Sequence, residues 1–202
     1  MRGLRLHLRG RRVPTAAAVA AGTVAAMWCG WRAWPGTPAA CAEAVSLTVM
    51  LAVVAFGPTL GGADESLDRT AAVRWPAVRA GHLLLAAAVV AGPLLLTAGT
   101  AAPFGPPALA LRDTAGLLGL TALSATLDGP ARAWIAPLTW TLIAVMPFTA
   151  PGDGLAAQVV TWPVAPAGDT TAAVCATVLA AVGAARYARR GCPRVATPDA
   201  PA

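Results

Sequence analysis

Six long apolar stretches divide the 202 residues of this chain, and its arginines fall almost wholly into alternate gaps between them. Arg2, Arg5, Arg9, Arg11 and Arg12 precede the first stretch, and Arg69, Arg74 and Arg79 separate the second from the third. Arg132 separates the fourth from the fifth, and Arg186, Arg189, Arg190 and Arg194 follow the sixth; Arg32 and Arg112 alone break the alternation. Short loops rich in Arg stay on the cytoplasmic side of a membrane. The pattern therefore predicts an all-α integral membrane protein of six transmembrane helices with both termini cytoplasmic. A spanning helix takes roughly 20 mostly apolar residues, so six of them use nearly all of residues 1–190 as a single membrane domain. Residues 191–202 are expected to form a disordered cytoplasmic tail.

The predicted spans are 15–34, 42–60, 80–100, 108–127, 131–148 and 170–188, with Pro93 expected to kink the third. The fourth is the weakest, because Arg112 and Asp113 near its outer end shorten its apolar run. Such a pair can snorkel to the interface, pair internally or pair with a neighbouring helix. Parity supports the span: without it, Arg132 and the arginines after the sixth stretch would move to the outside. Trp28, Trp31 and Trp34 at the outer end of the first span, with Trp134 and Tyr187 near inner ends, read as interfacial aromatic belts. Gly116 and Gly119 permit a close helix contact in the fourth span.

A composition that is 57% hydrophobic and 12% charged excludes an ordinary soluble domain. The net charge of +6 is spread over several loops without the stacking aromatics of a nucleic-acid surface, so anionic membrane lipids are the expected partner and nucleic acid is not. The absence of Lys beside abundant Ala, Arg, Gly and Pro fits a GC-rich bacterial genome, and the expected location is the bacterial cytoplasmic membrane. Residues 1–31 imitate a secretory signal, with a basic start before the apolar run Ala16 to Met27. Trp28 stands before Cys29 where a lipoprotein signal needs a small residue, and Arg11-Arg12 lacks the rest of a twin-arginine signal, so an uncleaved first span is expected.

Several chemistries are disfavoured. Without Lys there is no Walker A loop, so any nucleotide-driven work needs a separate ATPase chain. No predicted span carries an ionisable residue near its midpoint, which argues against a proton- or sodium-coupled carrier. His7 and His82 are isolated from other metal ligands, and no Ser/His, paired-carboxylate or His/Cys cluster lies within a span. No catalytic residue, metal or cofactor is expected. Cys29 and Cys41 lie near the outer ends of spans one and two, where a bridge is permitted, although packing as small apolar residues is the more natural reading. Cys175 and Cys192 lack CxxC spacing.

The most informative segment is Gly61 to His82, GGADESLDRTAAVRWPAVRAGH. Asp64, Glu65 and Asp68 stand at its start, Arg69 and Arg74 follow, and Trp75-Pro76 closes it. Acid at a helix N-terminus and base toward its C-terminus complement the dipole, and Glu65 and Arg69 stand at i,i+4. A short cytoplasmic helix over 64–74 is predicted, whose plain alternative is a solvated connector.

Glu65, Thr70, Pro76 and Arg79 resemble the arrangement after the second span of permease subunits of type-two ATP-binding-cassette exporters: an acidic stretch, a Thr-containing short helix, then Pro and a basic residue. The basic segment carrying Arg2, Arg5, Arg9 and Arg12 is similar to that family's in-plane elbow helix. The stretch Pro151 to Gly168 is similar to its re-entrant segment before span six, or else is an ordinary outer loop. The resemblance is one of layout, the chain is shorter than a typical member, and its segment lacks the usual Gly-Thr pair. It implies an exporter permease that pairs with a second permease copy or sibling and docks a cytoplasmic ATPase at Asp64, Glu65, Asp68, Arg69, Thr70, Arg74, Trp75, Pro76 and Arg79. Spans free of midpoint charge suggest an amphipathic or lipophilic cargo. A non-transporting membrane scaffold, immunity or assembly factor is the alternative.

Overall fold

The computed structural model describes residues 12–33, 40–61, 75–100, 103–146 and 154–193. Within these the secondary structure is helical: α1 Val13–Ala33, α2 Ala42–Val54, α3 Trp75–Thr97, α4 Pro107–Asp128, α5 Ile135–Val145, α6 Leu155–Val160 and α7 Thr170–Arg190. Short 3-10 turns cover Gly57–Leu60, Pro130–Arg132 and Trp162–Val164.

Local sequence explains where these helices begin and end. Prolines open α4, with Pro106 at the cap and Pro107 following, where a missing N–H costs nothing. The helix stops at Gly129, whose φ of 89° is one that L side chains rarely adopt, and Pro130 follows. The Asp169 side chain caps α7 by accepting from the Ala172 N–H at 2.8 Å. Gly191, at φ 69°, closes α7. Pro93 lies inside α3, which nonetheless runs on to Thr97.

The helices fall where apolar runs predict them, but their lengths differ. α1, α3 and α7 are long and apolar enough to cross a membrane. At 13 and 11 residues, α2 and α5 rise only about 20 and 17 Å. In the predicted span 42–60 the helix gives way after Val54 to a turn and the 3-10 turn Gly57–Leu60. The predicted fifth span begins instead as a 3-10 turn at Pro130, and residues 147–150 lie outside the described set. The third helix starts at Trp75 rather than Ala80, so Trp75, Pro76 and Arg79 belong to α3 and not to a preceding connector.

The weakest predicted span is the centre of the molecule. Fifteen of the 22 residues of α4 are buried, and α4 packs against α2, α3, α5 and α7. A helix enclosed by protein needs little lipophilicity, which is why its sequence carries Arg, Asp, Thr and Gly. Its closest neighbour is α7. A Cβ at Gly119 would meet the backbone of Leu179 and Ala180, one at Gly183 the backbone of Gly119, and one at Gly116 the Trp162 ring. The two helix backbones therefore touch, through glycines within one chain.

The outer faces are apolar. Leu84 and Leu96 of α3 are 71% and 77% exposed, and Val174, Val178 and Val182 form an exposed ridge at i,i+4,i+8 along α7. The ion pair lies inside. Large apolar side chains outside with charge inside is the inverse of a water-soluble fold.

Candidate functional site

Three places bear on function: the start of α3, the Arg112–Asp113 pair in α4, and the seam between α3 and the end of α7.

Of the nine residues expected to contact an ATPase, Asp64, Glu65, Asp68, Arg69, Thr70 and Arg74 lie outside the described residues. Trp75, Pro76 and Arg79 form the first turns of α3. Arg79 reaches the last turn of α7: Nη1 donates to the Ala188 carbonyl oxygen at 3.5 Å, and its guanidinium lies against Gly191. A cation at a helix C-terminus meets carbonyls that have no partner within the helix. The first turns of α3 are thereby tied to the last turn of α7.

A network next to this seam ties in the end of α2. Tyr187 is fully buried and donates from its hydroxyl to the Leu60 carbonyl at 2.9 Å, and Cys192 Sγ lies 3.5 Å from the same oxygen. Thr59 donates to the Phe56 carbonyl at 2.7 Å, and His82 Nε2 lies 3.0 Å from the Thr59 hydroxyl. His82 is thus a packing residue between α3 and the 3-10 turn. Tyr187, expected in an aromatic belt, is a buried strut instead, whereas Trp134 is 43% exposed and donates to the Ala131 carbonyl at 3.0 Å. At the other end of α1, Arg32 lies 5.3 Å over the Trp28 ring.

The most organised polar site is one that sequence reasoning left open between three fates. Arg112 folds back onto its neighbour, with Nε and Nη2 each 3.0 Å from Asp113 Oδ1. Nη2 also donates to the carbonyls of Pro163 at 3.0 Å and Ala165 at 2.9 Å, and Nη1 donates to that of Pro166 at 2.9 Å. The Ser46 hydroxyl of α2 lies 2.6 Å from Asp113 Oδ2 and 2.5 Å from the Pro163 oxygen, so its one proton serves both acceptors. Arg112, Asp113 and Ser46 are buried, whereas Ala165 and Pro166 lie toward the surface. Two charges at this depth are tolerable because each is paired and hydrogen-bonded.

The arginine also answers a need of the backbone. Residues 161–166 are broken by Pro163 and Pro166; the Thr161, Trp162 and Pro166 carbonyls accept backbone N–H groups, while those of Pro163 and Ala165 accept from side chains. Three of those oxygens converge on one guanidinium, whose planar fork suits several acceptors at once. Trp162, fully buried, fills the space above Gly116, and Trp140 of α5 donates from Nε1 to the Val160 carbonyl at 3.1 Å. Leu155–Val164 is therefore seated on α2, α4, α5 and α7 rather than left as a free loop.

Cys29 and Cys41 are exposed free thiols, and no disulfide joins them. Among the described residues no group of three or more His, Cys, Asp or Glu is placed to hold a metal ion. The chain matches no family model, no curated protein and no solved structure. Among the described residues the fold is all-helical, with three helices able, by length and composition, to cross a membrane.

Proposed function

We propose that this chain is a six-span, permease-like membrane subunit of an ATP-driven exporter. It works with a second permease copy or sibling and a separate cytoplasmic ATPase, and moves an amphipathic or lipophilic cargo across a bacterial cytoplasmic membrane. The observation that carries the reading is the junction at the start of α3. The charged segment 64–74 leads directly into Trp75-Pro76, and Arg79 three residues later bonds the Ala188 carbonyl at the end of α7. α7 is in backbone contact with α4, which holds the Pro163–Pro166 turn at its other end through Arg112. A push delivered at 64–74 thus has a packed route through α3, α7 and α4 to the opposite end of the helices. In this reading the two short helices α2 and α5 are completed as spans by flanking turns, and both termini are cytoplasmic.

Glu65 is the residue on which docking is tested. Glu65→Arg, expressed with wild-type levels of membrane insertion, is expected to abolish co-purification of the ATPase. Undiminished co-purification would remove the docking role from this segment.

A further inference from the structure

A second feature lies along the same helices and needs no ATPase. Between α3, α4 and α7 runs an apolar groove of about 300 Å³. Ala80, Leu83, Leu84 and Ala87 form one wall, with Leu118 of α4 and Ala184 of α7 opposite. Leu84 at its edge is 71% exposed, so the groove opens sideways to the surroundings of the helices. From Ala80 to Ala87 a helix rises about 10 Å. That is most of the depth of one leaflet, half of a hydrocarbon core of roughly 30 Å.

The groove has a charged end. Arg79 immediately precedes Ala80, and among the described residues its one hydrogen bond is long, 3.5 Å to Ala188. A guanidinium carries five donors, so most of its capacity faces elsewhere. Arg186, Arg189 and Arg190 occupy the last two turns of α7, and Arg186 Nε donates to the Thr126 hydroxyl of α4 at 3.1 Å. Among the described residues the Arg112–Asp113 pair is the sole contact between a cation and a carboxylate, so none of these four arginines has a described acidic neighbour within 4 Å. A carbon-lined slot about two-thirds as deep as a leaflet, with arginine free of described acidic neighbours at its polar end, matches one ligand chemistry, an acyl chain joined to a phosphate.

We propose that the groove holds one acyl chain of an anionic phospholipid, with its phosphate at Arg79. The site rests on the membrane reading alone, so failure to recover an ATPase would leave it standing, and its own failure would leave the exporter reading standing.

The test uses the full chain in nanodiscs of phosphatidylcholine doped with phosphatidylglycerol that carries a photoreactive diazirine on one acyl chain. Labelled residues are mapped by mass spectrometry. Label is expected on 80–87 and 180–184, displaced by unlabelled phosphatidylglycerol and not by phosphatidylcholine of the same chain length. Arg79→Gln is expected to lower that labelling about five-fold, the effect of one arginine near an anionic surface. Ala87→Phe, which fills the groove from a half-buried position, is expected to abolish it while the Val174, Val178 and Val182 ridge keeps its background label. Equal labelling of groove and ridge in the wild-type chain, or equal displacement by both lipids, would overturn the proposal without recourse to any variant.

Discussion

Arg112 ties together two parts of this structure that are distant in sequence. Its guanidinium gathers Asp113 and three carbonyls of the Pro163–Pro166 turn around one buried ion pair. Removing one partner of a buried, hydrogen-bonded ion pair typically costs about 3–5 kcal/mol, because the remaining charge is stranded. Arg112→Met is therefore expected to lose stability on that scale in detergent unfolding. Arg112→Lys is expected to recover only part of it, since an ammonium cannot span three carbonyls and a carboxylate as a planar fork does. A loss below about 1 kcal/mol for Arg112→Met, the range of exposed ion pairs, would mean that the cluster is open to water. The sequence made Arg112 and Asp113 visible as an anomaly but left three fates open. Its main acceptors are 51 to 54 residues distant, and nothing in local sequence links carbonyls to a side chain so far away. Tyr187 was misplaced for a related reason: an aromatic near a helix end looks the same in sequence whether it meets lipid or a buried carbonyl.

At the scale of elements, helix position was legible and helix rank was not. Runs of about 20 apolar residues locate α1, α3 and α7 directly. α4 read as the weakest span because hydropathy measures suitability for lipid, whereas α4 is enclosed by other helices. The role of its glycines follows from that enclosure. Gly116 and Gly119 suggested a close approach, and the structure supplies Trp162 and α7 as the partners. Gly183→Ala is expected to destabilise by about 1–3 kcal/mol, as overpacking does, because the new methyl would collide with the backbone of Gly119. Gly92→Ala in α3, where a Cβ meets nothing within 4 Å, is expected to be neutral or up to about 1 kcal/mol stabilising through helix propensity. Equal effects of the two substitutions, measured by thermal unfolding in detergent, would mean that α4 and α7 are not in backbone contact.

At the scale of the whole molecule, the account joins two ends of a helical bundle. One end has Arg79, His82, Tyr187 and the arginines of α7, and the other has the turn held by Arg112. If the arginine-rich end is cytoplasmic, a reporter enzyme fused after Arg190 will be active only inside the cell. Activity outside would invert the six-span arrangement. The charge pattern gave this topology its basis, since arginine in alternate gaps is readable without coordinates. The charges of the segment expected to meet the ATPase are likewise legible in sequence, but only Trp75, Pro76 and Arg79 of it fall among the described residues.

The central claim is that this chain is the membrane half of an ATP-driven machine. Purification of the tagged full chain from its native membrane in mild detergent, followed by mass spectrometry of what accompanies it, tests that claim most directly. The account predicts a stoichiometric second protein carrying a G-x-x-x-x-G-K-[ST] loop. Recovery of the chain alone, or with a partner lacking a nucleotide-binding loop, would contradict the exporter reading and favour a non-transporting scaffold, immunity or assembly factor.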